Sequence, residues 1–68
     1  MKVNYDKLWK LMIDKKLNKT QLSEMAGITT NEMAKMGKEE IVKMETLIKI
    51  CKVLDCKLDD IVEIWNEI

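Results

Sequence analysis

Two helix-start signals stand eleven residues apart, at Asn18-Lys19-Thr20-Gln21 and Thr29-Thr30-Asn31-Glu32, with one glycine, Gly27, between them. In each, the first side chain can accept from the amide three residues on while the glutamine or glutamate reaches back, a reciprocal pair that initiates a helix. Gly27 can take the left-handed conformation that ends one. A chain punctuated this closely has no room here for a long element. The expectation is a helix over residues 19–26, a tight turn, and a second helix over residues 30–36 with Thr29 as its cap. Leu22, Met25 and Ala26 form the apolar stripe of the first, and Met33 and Met36 that of the second. Thr30, Asn31, Ala34 and Lys35 are left facing outward. Ala26 is small where the two helices would cross, and Ile28 is placed to plug the core between them. Two short helices joined by a tight glycine turn have the geometry of a helix-turn-helix.

The flanking segments read as further helices. Leu8, Leu11 and Met12 recur at i, i+3, i+4 within residues 5–16, with Asn4 available as cap. Met44, Leu47, Ile48, Cys51 and Leu54, widened by Ile50 and Val53, mark a fourth helix over residues 44–54. Apolar over more than half its circumference, it is expected at the centre of the bundle. Leu58, Ile61, Val62 and Trp65 suggest a fifth helix over residues 58–66, with Asp59 and Asp60 in a first turn that favours negative charge. The expected fold class is therefore all-α, a compact five-helix domain with a central helix-turn-helix. Sixty-eight residues leave room for one core and so for one domain, residues 1–68.

Apolar runs are far too short to cross a bilayer, and the N-terminus leads straight into an amphipathic segment with no signal-peptide pattern. No membrane association and a cytoplasmic location are expected. Cys51 and Cys56 are five apart, which fits neither a redox CxxC nor a zinc pair, and the chain has no histidine. Two buried or half-buried thiols, no metal, no cofactor and no small-molecule ligand are the expectation.

The formal net charge is zero, but its distribution is not even. Residues 1–38 hold eight lysines against four acids, a net of +4, and residues 39–68 hold four lysines against eight acids, a net of −4. A domain divided in this way can turn its basic half toward phosphate. Catalysis finds little support: Ser23 is the one serine, and there is neither histidine nor a glycine-rich phosphate loop, so the expectation is a protein that is not an enzyme.

From Leu17 to Val62 the sequence resembles the lambda-repressor/Cro-like, or XRE-type, helix-turn-helix family. The resemblance is carried by Leu17, Gln21-Leu22, Ala26-Gly27-Ile28-Thr29, Met33, Met36, Met44-Glu45-Thr46-Leu47, Ile50 to Leu54 and Leu58-Asp59-Asp60-Ile61. It implies that the helix after Gly27 enters the major groove of duplex DNA while the preceding helix crosses the phosphates. Carried over by position, Thr30, Asn31, Ala34 and Lys35 would face bases, with Thr29 beside them. Lys19, Thr20 and Lys38 would approach phosphate. The chain departs from the family at Glu39, where many members have glycine, and at Lys43, where many cap with serine; it also lacks arginine.

The function implied is a sequence-specific double-stranded DNA-binding transcriptional regulator, a repressor acting as a homodimer, since one short helix reads too few bases. Surplus apolar residues near the C-terminus, namely Ile61, Ile64, Trp65 and Ile68, are the expected dimer interface. The competing reading is a protein-interaction or antitoxin-like module that keeps the fold without strong DNA binding, with neutral charge and Glu39-Glu40 in its favour.

Overall fold

The computed structural model describes residues 2–65. Strand β1 (Lys2–Asn4) leads into α1 (Asp6–Asp14), α2 (Lys19–Ala26), α3 (Thr30–Gly37) and α4 (Met44–Leu54). A single 3-10 turn, Leu58–Asp60, follows, and β2 (Glu63–Trp65) closes the order. β1 and β2 pair antiparallel, with Lys2 opposite Trp65, Val3 opposite Ile64 and Asn4 opposite Glu63.

The fold is thus mostly helical, but the fifth helix expected over residues 58–66 does not form. The aspartates do begin a helical turn, in which the Asp60 carboxylate accepts from the Lys57 amide at 2.9 Å. That turn stops after three residues. The next residues, Ile61-Val62-Glu63-Ile64-Trp65, are rich in β-branched and aromatic side chains that suit a pleated strand better than a helix. Val3 and its neighbours supply the backbone partner that makes the strand possible. A strand's partner lies outside any local window of sequence, so helical spacing at residues 58, 61, 62 and 65 was a misleading signal.

All four helices end in the same way. A left-handed residue follows each: Lys16 at φ 58°, Gly27 at 69°, Glu39 at 60° and Asp55 at 52°. The next amide then bonds the carbonyl five residues back, as Leu17 to Met12, Ile28 to Ser23, Glu40 to Lys35 and Cys56 to Cys51, at 2.9–3.1 Å. These bonds satisfy carbonyls that a helix end leaves unpaired. The first helix accordingly stops two residues short of the expected boundary. It also starts later: Tyr5 is the cap residue, while the Asn4 side chain accepts from the Asp6 amide at 2.8 Å.

The core gathers Tyr5, Leu8 and Met12 of the first segment with Leu22, Ala26 and Ile28, Met33 and Met36, Leu47, Ile50 and Leu54, and Ile61. Tyr5 is buried and donates its hydroxyl to the Glu40 carbonyl at 2.7 Å, which ties the loop after α3 to the start of α1. The apolar stripes of α2 and α4 lie differently from their expected positions. Met25 is exposed, and Ser23 takes the inward place with its hydroxyl donated to the Thr20 carbonyl at 2.9 Å. On α4 the buried row is Leu47, Ile50 and Leu54 with Thr46, while Met44 and Ile48 stand exposed. The fourth helix is therefore covered on one side and open on the other. No described helix is long and apolar enough to cross a membrane.

Candidate nucleic-acid interface

α3 is held at its first turn from two directions. Thr29 is extended and its hydroxyl oxygen accepts from the Glu32 amide at 3.1 Å, while the Glu32 carboxylate accepts from the Thr29 amide at 3.4 Å. The other carboxylate oxygen of Glu32 accepts the buried hydroxyl of Thr46, in the first turn of α4. The helix start is thus fixed by local bonds and bolted to a neighbouring helix by a charge-assisted one. Because Met33 and Met36 point into the core, Thr30, Asn31, Ala34 and Lys35 are left exposed. Thr30 with Ala34, and Asn31 with Lys35, are i, i+4 neighbours, so the four form two adjoining rows on the outer face. Thr29 is exposed too, but its hydroxyl already serves the cap.

α2 begins with the same device: Asn18 accepts from the Gln21 amide at 2.7 Å and Gln21 accepts from the Asn18 amide at 3.0 Å. Its first turn carries no acid. Gly27, at φ 69°, then swings the chain toward Thr29, and a Cβ there would meet nothing within 4 Å. The requirement for glycine there is a backbone requirement, since L side chains are strained at that φ. Lys19, Thr20, Thr30 and Ala34 come together along one shallow notch of about 290 Å³ between α2 and α3, with Ser23, Met33 and Gly37. Asn31, Lys35 and Lys38 lie outside the notch and are exposed.

The Lys19 side chain is not extended into solvent. Its ammonium lies 4.7 Å from the centre of the Trp9 ring. Trp9, on α1, meets Tyr5 edge-on at a centroid distance of 6.4 Å. A Cβ on Gly37 would stand 3.3 Å from the Lys19 Nζ. Trp9 and Gly37 were not singled out from the sequence. The signal that could have found Gly37 is a glycine in the last turn of a helix where no left-handed φ is needed.

Of the residues expected at a dimer interface, Ile61 is withdrawn. It is 0% exposed and packs within its own chain's core. Ile64 and Trp65 are 65% and 56% exposed on β2. Ile68 lies outside the described residues. The two cysteines are half-buried and free. Burial, reinforced by Cys51 and Asp60 and opposed by Lys15, pushes the Cys56 thiol up to about 11. It is therefore protonated at neutral pH and a poor nucleophile. Among the described residues no cluster of metal-ligating side chains occurs.

Two short helices joined across a left-handed glycine, with an exposed polar helix face and a lysine-bearing helix start beside it, define a helix-turn-helix DNA-binding domain. The chain belongs to the Cro/C1-type HTH DNA-binding family, whose profile matches residues 7–67. It is 38% identical over 55 residues to an uncharacterized HTH-type transcriptional regulator, YozG of Bacillus subtilis (strain 168). That match covers 78% of this chain and 66% of YozG, just under two thirds of its length. The crystal structure of the transcriptional regulator VanUg, Form II, superposes with a TM-score of 0.92 at 42% identity, over 97% of this chain and 88% of VanUg. The resemblance read from Leu17 to Val62 is thereby shown, and the chain carries a Cro/C1-type helix-turn-helix DNA-binding domain.

Proposed function

We propose that the protein is a sequence-specific repressor that binds two half-sites of duplex DNA as a homodimer. The observation that carries this reading is the exposed double row Thr30, Ala34, Asn31 and Lys35, standing on a helix whose opposite face is buried and whose start is anchored to α4. Asn31 suits adenine, and Lys35 suits the N7 and O6 of guanine, each worth about 1–3 kcal/mol of discrimination in good geometry. Ala34 offers a methyl contact and Thr30 a hydroxyl. Thr29 contributes by setting the helix start. Lys19, Thr20 and Lys38 meet phosphate. Repression follows from occupying a promoter.

The dimer is assigned to the exposed Ile64 and Trp65 of β2, with Ile68 beyond them in sequence. A short, open-edged strand pair carrying two large apolar side chains is a surface that a second copy can cover.

Selection of bound sites from random duplexes tests the reading as a whole and should return a sequence with two-fold symmetry. Log affinity should fall linearly with log salt, at about −0.9 per phosphate neutralised. Asn31→Ala should relax preference at one position, whereas Lys38→Ala should weaken binding to all sequences alike. A flat salt response with no selected site would instead support a protein-interaction or antitoxin-like module, the reading that Glu39 and Glu40 favour. For the dimer, Ile64→Glu should shift sedimentation toward the monomer, with Ile48→Glu on the open side of α4 as the comparison; the reverse result would move the interface to α4.

A further inference from the structure

The geometry points to Trp9 and Gly37 as positioning residues that hold the Lys19 ammonium ready for a DNA phosphate; this rests on the DNA-binding reading above. Lys19 is the first residue of α2, where the helix dipole disfavours a cation, and no acid in that turn compensates. The side chain folds away from that position. Its ammonium lies over the face of Trp9, 4.7 Å from the ring centre, where the ring's negative quadrupole attracts it. On another side it lies against the last residue of α3, where a Cβ on Gly37 would come within 3.3 Å of Nζ.

Gly37 has no backbone reason to be glycine, because it is within α3 and is not among the residues at positive φ. Glycine inside a helix weakens it relative to alanine. What the missing side chain provides is room for the ammonium. The location is also electrostatically apt, since the C-terminal end of a helix favours positive charge. Three elements therefore converge on one cation: α1 supplies the ring, α2 the lysine and α3 the space. Lys19 and Gly37 both line the notch that Thr20 and Thr30 share, and the ammonium lies beside Gly37, so a phosphate oxygen arriving there meets a charge already in place. A free lysine must lose most of its rotamer freedom on contact, and a held one has lost much of it beforehand.

The experiment is a double-mutant cycle in affinity for a mixed-sequence duplex of about 20 base pairs, long enough for two half-sites, measured across a salt series. Trp9→Leu should weaken binding roughly 2- to 10-fold, the size of ordering one long side chain at an interface, with the salt slope unchanged because the phosphate contact persists. Lys19→Met should weaken binding and also lower the slope by about 0.9 per subunit. On the Lys19→Met background, Trp9→Leu should have no further effect. Trp9→Phe, which keeps a ring face, should recover most of the loss.

Gly37→Ala separates positioning from folding. It should leave the thermal midpoint unchanged or raised while lowering affinity, and on the Lys19→Met background it should lower affinity no further, which separates displacement of the ammonium from a methyl that obstructs the notch. Equal losses from Trp9→Leu with and without Lys19, or parental affinity in Gly37→Ala, would overturn the inference while DNA binding stands. A parent chain that binds no duplex even at low salt would overturn both.

Discussion

Glu39 occupies the left-handed region at φ 60°, where a Cβ is crowded by the following carbonyl. Its carboxylate also stands in the loop directly after the proposed recognition helix. Replacing it by glycine removes both features. Glu39→Gly should raise stability by about 1 kcal/mol, or about 4–8 °C in thermal midpoint for a domain of this size. It should tighten DNA binding as well. Glu39→Gln removes the charge but not the strain, so it should improve affinity and leave the midpoint near its parental value. If Glu39→Gly melts at or below the parental temperature, left-handed strain is not stored there.

The thiol of Cys56 gives a second expectation. Its folded value of about 11 lies above the ordinary 9.0, so the unfolded chain loses this proton first as pH rises. The native state then holds more protons than the unfolded one, and stability falls with rising pH. The contribution is intact below pH 9 and is lost progressively between pH 9 and about 11. Burial raises the Tyr5 phenol above its ordinary 10, partly offset by a backbone hydrogen bond with Val42, and this adds to the loss at the upper end. Urea midpoints measured from pH 8 to 11 should decline, and the decline should be smaller in Cys56→Ala. Identical slopes in the two proteins would remove Cys56 as a source.

Elements set by bonds within a few residues were readable from sequence, and those set by distant partners were not. α2 matches its expected bounds of 19–26, and α3 its expected 30–36 with one residue added, because Asn18, Gln21, Thr29 and Glu32 cap from within their own first turns. Gly27 announced its left-handed turn. Lys16, Glu39 and Asp55 make the same turn without glycine, so the ends of α1, α3 and α4 carried no comparable mark. The exposed face of α4 was hidden because apolar spacing tells how much of a helix is greasy, not which neighbour arrives. The outward placement of Thr30, Asn31, Ala34 and Lys35 was legible from Met33 and Met36 on the opposite side. The contact of Lys19 with Trp9 was not, since it joins residues ten apart across a helix boundary.

The bond from Thr46 to Glu32 is the element-scale contact with the clearest consequence, for it couples the first turns of α3 and α4. Thr46 is buried, so Thr46→Val keeps its shape and removes the donor. A hydrogen bond to a charged group contributes about 1.5–3 kcal/mol, and Glu32, only half-buried, can recover some of that from water. Thr46→Val should therefore destabilise by about 1–2 kcal/mol in urea unfolding. Because the α3 start loses its anchor, DNA affinity should fall even at temperatures where the variant is fully folded. Unchanged stability in Thr46→Val would mean that water replaces the hydroxyl without loss.

At the scale of the whole molecule, charge is divided along the chain, and Lys7 is one of the residues that join its two halves. Lys7, from the basic half, donates to the Asp59 carbonyl at 3.2 Å and lies 3.9 Å from the Glu63 carboxylate. Both contacts draw the last part of the chain onto α1, beside the point where β2 meets β1. Being exposed, the ion pair is worth little by itself and weakens with salt. The remaining lysines of the first 38 residues include Lys19, Lys35 and Lys38, which surround the notch and the outer face of α3. Separation of charge into two regions thus puts lysines around the proposed DNA-binding side in a protein of zero net charge.

The pairing of Lys2 with Trp65 has a mechanical corollary. β1 and β2 run antiparallel with the two ends of the described chain at the same edge of the ladder. Tension applied at both ends would load its hydrogen bonds one after another, as in a zipper, instead of all together. Such a seam should give way at low force and leave the four helices standing. In single-molecule stretching it should appear as a small early extension ahead of the main rupture, and handles attached near those ends would report on a clasp that opens without erasing the proposed recognition surface.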